Sequence, residues 1–290
     1  MDIKKDVVSS CIACKDWLFS QSKTVLAGVA LLVILIVITI ASFGRSSVEE
    51  IPDFGELPDL NAYNDVDAMK AVFFDYLTPI VDYHNSQIND QRNTLRVLQL
   101  QVASGSSLSN SDERFVESLA EQYRYELPEE WHENEKIDLE SVESILRRLS
   151  IRVDEIPIDL ALVQAAKESG WGRSRFAVEA NNLFGQWCYS QGCGLVPDQR
   201  SAGATHEVQK FDSIADAIGS YINNLNSHAS YETLRLIRAG LRASGKAVDG
   251  LTLADGLIYY SERREAYVDE VKVMIHQYHD FQNNRVVPEA

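Results

Sequence analysis

The sequence predicts a mainly α protein with a small β-hairpin, set behind a single N-terminal transmembrane helix. Three observations carry this. Apolar residues recur at spacings of three and four through most of the chain beyond residue 65, which marks amphipathic helices. Strand-like material is largely confined to residues 186–211. Residues 24–43 hold no charge and are mostly Val, Leu, Ile and Ala, and about 20 such residues cross a bilayer as a helix.

The elements follow in order. Residues 1–23 carry Lys4, Lys5, Lys15 and Lys23, and beyond Arg45 the chain turns acidic with Glu49, Glu50, Asp53, Glu56 and Asp59. Lysine before the span and acid after it predict a cytoplasmic N-terminus. A cleaved signal peptide would have a shorter apolar region and a shorter basic start, so 24–43 reads as an uncleaved anchor. Residues 44–64, acidic and with Pro52, Gly55 and Pro58, read as a linker. Residues 65–150 form a helical region. In it Met69, Val72, Phe73, Tyr76, Leu77, Ile80 and Val81 open a stripe that Ile88, Leu95, Leu98 and Val102 continue. Pro79 is expected to bend or divide it. A freestanding stalk and a helix packed on the following domain are both open, and the aromatic content favours packing. Ser111-Asp112 is expected to cap a further helix, and residues 139–149 are helical again. Residues 151–282 form the main domain, and 283–290 a tail. In that domain Pro157 opens the helix that ends at Glu168. Ser213-Ile214-Ala215-Asp216 has capping-box form, and helices are expected over 231–243, 252–260 and 264–281.

Composition excludes several functions. The chain has 27 basic and 43 acidic residues, of which five basic and three acidic lie in residues 1–45. The rest therefore holds 22 and 40, a net of −18. Nucleic acid and anionic lipid need basic patches, so neither is a predicted partner. A glycan would have to be held by local hydrogen bonds and stacking. No Ser-His-Asp order, P-loop or dinucleotide fingerprint appears, and no cofactor is predicted. Of the six histidines only His276 and His279 have ligand-like spacing, and they read as a solvated face, so no metal site is predicted. Cys11 and Cys14 lie before the span as an isolated pair. Cys188 and Cys193 lie beyond it, where an oxidising compartment allows them to close a small loop; two free thiols are the alternative.

The run Asp159-Leu-Ala-Leu-Val-Gln-Ala-Ala-Lys-Glu168-Ser-Gly-Trp-Gly172 is the most informative. Leu160, Ala161 and Ala165 set an apolar face, and Glu168 falls on it in the last turn. Burial and the negative end of the helix dipole both disfavour the anion there. A raised pKa suits a general acid. A glutamate that snorkels to water is the alternative.

"ESGWG" at 168–172, followed by "NNLFG" at 181–185, resembles the bacterial glucosaminidase domain of glycoside hydrolase family 73. The "NNLFGQWC" continuation and the long upstream helix make the Bax-type subgroup the nearest resemblance. The catalytic part covers roughly residues 151–278, and the Bax-like part begins near 65. The resemblance implies a lysozyme-like glucosaminidase domain that cuts peptidoglycan glycan strands on the reducing side of N-acetylglucosamine, with Glu168 as general acid. It implies a second carboxylate at Glu207, in His206-Glu207-Val208-Gln209-Lys210-Phe211, although Thr205-His206 stands where many relatives have two threonines. A functional tyrosine falls at Tyr260, with Tyr267 packing the following helix, in a segment that departs from the family's "YATDPxY" by an added residue and a lost Thr-Asp pair; ordinary core or rim packing is the alternative for either ring. Asn181, Asn182, Trp187 and Tyr267 are the expected substrate contacts, Phe184 is expected in the core, and Trp171 behind Glu168. The implied location is the bacterial inner membrane, single-pass, with the catalytic domain in the periplasm. Protein partners are not named by the sequence. A lytic transglycosylase, which usually carries a "GLMQ"-like segment where this chain has "NNLFGQ", is one alternative. A catalytically silent glycan-binding envelope protein is the other.

Overall fold

Asp65 starts the longest element of the structure by accepting a hydrogen bond from the Ala68 N–H at 2.8 Å. In this computed structural model residues 51–131, 137–198, 200 and 203–285 are described. The 24–43 span, Cys11 and Cys14 lie outside them. Among the described residues no helix is long and apolar enough to cross a membrane.

Helix α1 (Val66–Ala103) runs through Pro79 without being divided. Proline removes one backbone donor, but Leu77, Ile80 and Val81 on either side are buried, and packing carries the helix across it. Its stripe from Met69 to Val102 lies against α3 (Leu139–Arg152), α4 (Ile158–Ser169) and α6 (Ile214–Ser227). Polar contacts fix the register. Asn85 donates to the Ile156 carbonyl at 2.8 Å and accepts from its N–H at 3.0 Å. Arg92 reaches the carbonyls of Ser150 and Val153.

Between these helices lies α2 (Asn110–Gln122). Its cap is Ser109, not Ser111: Ser109 and Asp112 form a reciprocal capping box, and Asp112 is the third helical residue, where a box needs its acid. The expected helix over 252–260 is a short α8 (Gly250–Leu253) that tightens into a 3-10 turn, Ala254–Leu257. Here Gly256 presses on α7 (Glu232–Ala243); a Cβ would sit 2.3 Å from the Leu234 Cα. Helix α9 (Glu265–Asn284) closes the chain. On it His276 is exposed and His279 half-exposed, and His279 Nε2 lies 3.0 Å from Asp159 Oδ2.

Helix α4 occupies the centre. Every residue from Leu160 to Ala166 is buried, so it is covered on all sides rather than on one stripe. Its approach is fixed by a buried charge cluster. Asp154 lies 2.8 Å from Arg242, 3.2 Å from Arg92 and 3.7 Å from Arg238. Arg238, fully buried, also donates to the carbonyls of Ile151, Arg152, Asp154 and Glu155, which satisfies the C-terminal end of α3.

The β-region is a three-stranded antiparallel sheet rather than a hairpin. Strands β1 (Trp187–Cys188), β2 (Gly194–Leu195) and β3 (Glu207–Gln209) are ordered β1-β3-β2. The last strand inserts between the two earlier ones and supplies their ladder partners. Gly194 is required, since a Cβ there would meet the Val208 carbonyl oxygen at 1.9 Å.

Candidate active site

The end of α4 is built to stop abruptly. Gly170, Trp171 and Gly172 all have positive φ, at 58°, 62° and 70°. The N–H groups of Gly170 and Trp171 both return to the Ala166 carbonyl. Ser169 locks the turn: its hydroxyl donates to the Ala165 carbonyl and accepts from the Gly172 N–H, each at 2.6 Å. A left-handed tryptophan is costly. The turn holds it there because the ring packs edge-on against Phe73 and Phe74 of α1, at 5.6 and 5.4 Å. The outcome fixes Glu168 in the last turn of a buried helix.

Glu168 is half-buried, and burial pushes its carboxyl above the ordinary 4.5. A hydrogen bond from Tyr267 and the charge of Lys167 oppose that shift without cancelling it. Tyr267, on α9, donates to Glu168 Oε1 at 2.8 Å and receives Gln164 Nε2 at 2.9 Å. Tyr221, on α6, donates to Gln164 Oε1 at 2.6 Å. Tyr260 stacks on Tyr267 with ring centroids 5.3 Å apart, but its hydroxyl goes to the Phe184 carbonyl at 3.3 Å. Tyr267, expected as a substrate contact, is thus the tyrosine bound to Glu168, and Tyr260 supports it from behind. Lys167 is drawn off to Glu270 at 2.6 Å. That carboxylate also pairs with Arg263, and the two cations hold it down at about 2, Arg263 foremost.

The NNLFG segment packs instead of opening to solvent. Asn182 is buried. Its amide donates to the carbonyls of Gln186 and Gln209 and its oxygen accepts from the N–H groups of Phe184 and Gln186. With donors and acceptor so engaged it is a loop brace, which corrects its expected role as a substrate contact. Asn181 caps α5 (Arg175–Ala180) in the left-handed region and donates to Phe211 and Asp212 carbonyls. Phe184 stacks on Tyr221 at 3.9 Å. Trp187 is 55% exposed with His206 stacked on one side of its ring at 4.1 Å, an arrangement that leaves indole surface open to a sugar ring.

Glu207 is neither a solvated edge residue nor a free base. It sits on the central strand, and its oxygens accept from the Gly192 and Gly194 N–H groups at 3.1 and 2.9 Å. Those bonds, Gly192 foremost, hold it below its ordinary pKa. The loop they clamp is closed by the disulfide Cys188–Cys193. Both sulfurs lie within 4.8 Å of a Glu207 oxygen, but as a disulfide they offer no thiolate to a cation. Glu168 and Glu207 therefore have separate sets of partners, one of tyrosine and one of backbone.

Sequence reasoning missed Gln164 and Ser169. A lone amide in an apolar run, four residues before the glutamate and so on its face, was the available signal for Gln164. Ser169 carried none beyond its neighbours.

An α-rich body with a short sheet and one half-buried helix-end glutamate defines a class: residues 144–280 match the family described as "Glucosaminidase: Mannosyl-glycoprotein endo-beta-N-acetylglucosaminidase", a domain of glycan-cleaving glycoside hydrolases. "Protein bax" of Escherichia coli (strain K12) is 30% identical over 212 residues, covering 73% of this chain and 70% of that protein. The chain belongs to the Bax-type proteins with a glucosaminidase domain. No solved structure matches it.

Proposed function

We propose that this protein is an endo-β-N-acetylglucosaminidase that hydrolyses peptidoglycan on the reducing side of N-acetylglucosamine, with Glu168 as general acid. The observation that carries the reading is Glu168 itself: half-buried, raised in pKa, and bound through one oxygen to Tyr267. A neutral carboxyl can protonate the departing glycosidic oxygen. Each Glu207 oxygen accepts a backbone N–H and keeps a further lone pair, but the two bonds clamp the carboxylate to its own loop, which favours attack on the anomeric carbon by the substrate's own N-acetyl oxygen over attack by Glu207. Water then opens the cyclic intermediate and gives its proton back to Glu168. Trp187 is the stacking platform.

The reading includes a bacterial inner-membrane anchor at residues 24–43 with the domain in the periplasm. Its support is the uncharged run, the lysines before it, and a disulfide of the kind that persists in oxidising compartments. Protease added to spheroplasts should digest the domain; full protection would reverse the orientation.

The activity is tested with the full chain in detergent, purified peptidoglycan and Glu168→Gln in parallel. Mass spectrometry of borohydride-reduced products should show reduced N-acetylglucosamine ends from the wild type. The variant should lose at least about a hundredfold in rate. Anhydromuramic ends would make it a lytic transglycosylase. Glycan binding without cleavage in either protein would make it a binding protein.

A further inference from the structure

The hydrogen-bond chain behind Glu168 has a direction. A primary amide has one face that only accepts and one that only donates. With Gln164 Oε1 facing the Tyr221 hydroxyl at 2.6 Å, Gln164 Nε2 faces Tyr267 at 2.9 Å. Tyr267 then receives a hydrogen bond and gives its single proton to Glu168 Oε1. Reversing the amide would turn the Tyr267 proton toward Gln164 and leave Oε1 of an ionised Glu168 without that donor. It would also set the Tyr221 proton against an N–H. The side chains are 0%, 1% and 3% exposed for Gln164, Tyr221 and Tyr267, so water cannot replace a missing member and the order is enforced.

We propose that Gln164 and Tyr221 are positioning residues that keep the Tyr267 proton on Oε1 of Glu168, so that the proton Glu168 donates is carried on Oε2. This rests on the reading of Glu168 as the acid. Oε1 stays an acceptor in both protonation states, and only Oε2 is left to exchange a proton with the glycosidic oxygen. The direction is set by three helices, since α4 supplies Gln164 and Glu168, α6 supplies Tyr221, and α9 supplies Tyr267. The other titratable groups that act on Glu168 or sense it are Tyr231, Tyr260 and Lys167, and the lysine is held by Glu270.

The test uses the full chain in detergent with Tyr267→Phe, Tyr221→Phe, Gln164→Leu and the double variant Tyr221→Phe/Tyr267→Phe. Two readouts are followed: the Glu168 carboxyl titration by carbon-13 NMR, assigned with Glu168→Gln, and the pH profile of peptidoglycan cleavage. Losing the donor destabilises the anion, so Tyr267→Phe should raise the Glu168 titration by about one pH unit and move the alkaline limb of the profile upward with it. Tyr221→Phe and Gln164→Leu should move both in the same direction. The double variant should move them no further than Tyr267→Phe alone, because residues acting through one chain are not additive. An unmoved titration in Tyr221→Phe, or additive shifts in the double variant, would overturn the proposal. Should Gln164→Leu fail to fold, Tyr221→Phe and the double variant decide it. If the wild type cuts no glycan while the titrations shift as expected, the relay stands and the hydrolase reading falls.

Discussion

At Glu168 burial raises the carboxyl pKa while the Tyr267 hydroxyl and Lys167 lower it, and burial wins. The consequence for stability has a definite sign. With the folded pKa above the unfolded one, the native state binds the proton more tightly. The stability this group contributes is full below about 4.5, the ordinary value, and is lost as pH rises through the folded pKa. Glu168→Gln cannot lose it, and its carbonyl can still accept from Tyr267. The variant should therefore be more stable than the wild type at pH 7 and match it near pH 4, read by urea unfolding at both. An equal difference at both pH values would mean that burial is not what strains this carboxylate. The position of Glu168 was legible because a lone glutamate ended an apolar helix. Its tyrosine was not, because Tyr267 lies 99 positions away on another helix and local spacing does not say which ring reaches the glutamate.

Among the elements, the turn after α4 and the disulfide loop each constrain one carboxylate. Gly172 combines a φ of 70° with a Cβ position 2.8 Å from Leu60 Cδ1. Gly172→Ala should cost about 1–2 kcal/mol, measured by chemical denaturation, with the Leu60 side chain giving way more easily than the backbone. In the β-region, Cys188→Ser with Cys193→Ser should lower stability by about 2 kcal/mol for so short a loop. The amides of Gly192 and Gly194, which Glu207 holds, should then exchange faster in hydrogen-exchange NMR. Unchanged exchange would show that Glu207 alone holds the loop. The strands were legible as a region, but their order was not. Trp187 pairs with Val208, Cys188 with Glu207 and Gly194 with Gln209 only because a later segment inserts between earlier ones.

At the scale of the molecule, the Asp154 cluster ties α1, α3 and α7 to the start of α4. Arg238 is held down to about 10 by burial above all, so it remains charged at neutral pH. Removing its buried counter-charge leaves that cation uncompensated, and Asp154→Ala should destabilise by about 3–5 kcal/mol, read as an earlier urea midpoint. A loss under about 1 kcal/mol would assign the support to the four carbonyls that Arg238 also binds. Long-range ties of this kind set the limits of a sequence reading. Most helix positions, the abrupt stop at Gly170–Gly172 and the placing of Glu168 were determined by the sequence alone, because periodicity, helix termination and a lone carboxylate act within a few residues. Gln164 as a directional link, Tyr267 as the partner of Glu168 and backbone capture of Glu207 were decided by the tertiary structure. Each of these joins groups from 13 to 103 positions apart, and local spacing carries no information about which distant donor meets which acceptor.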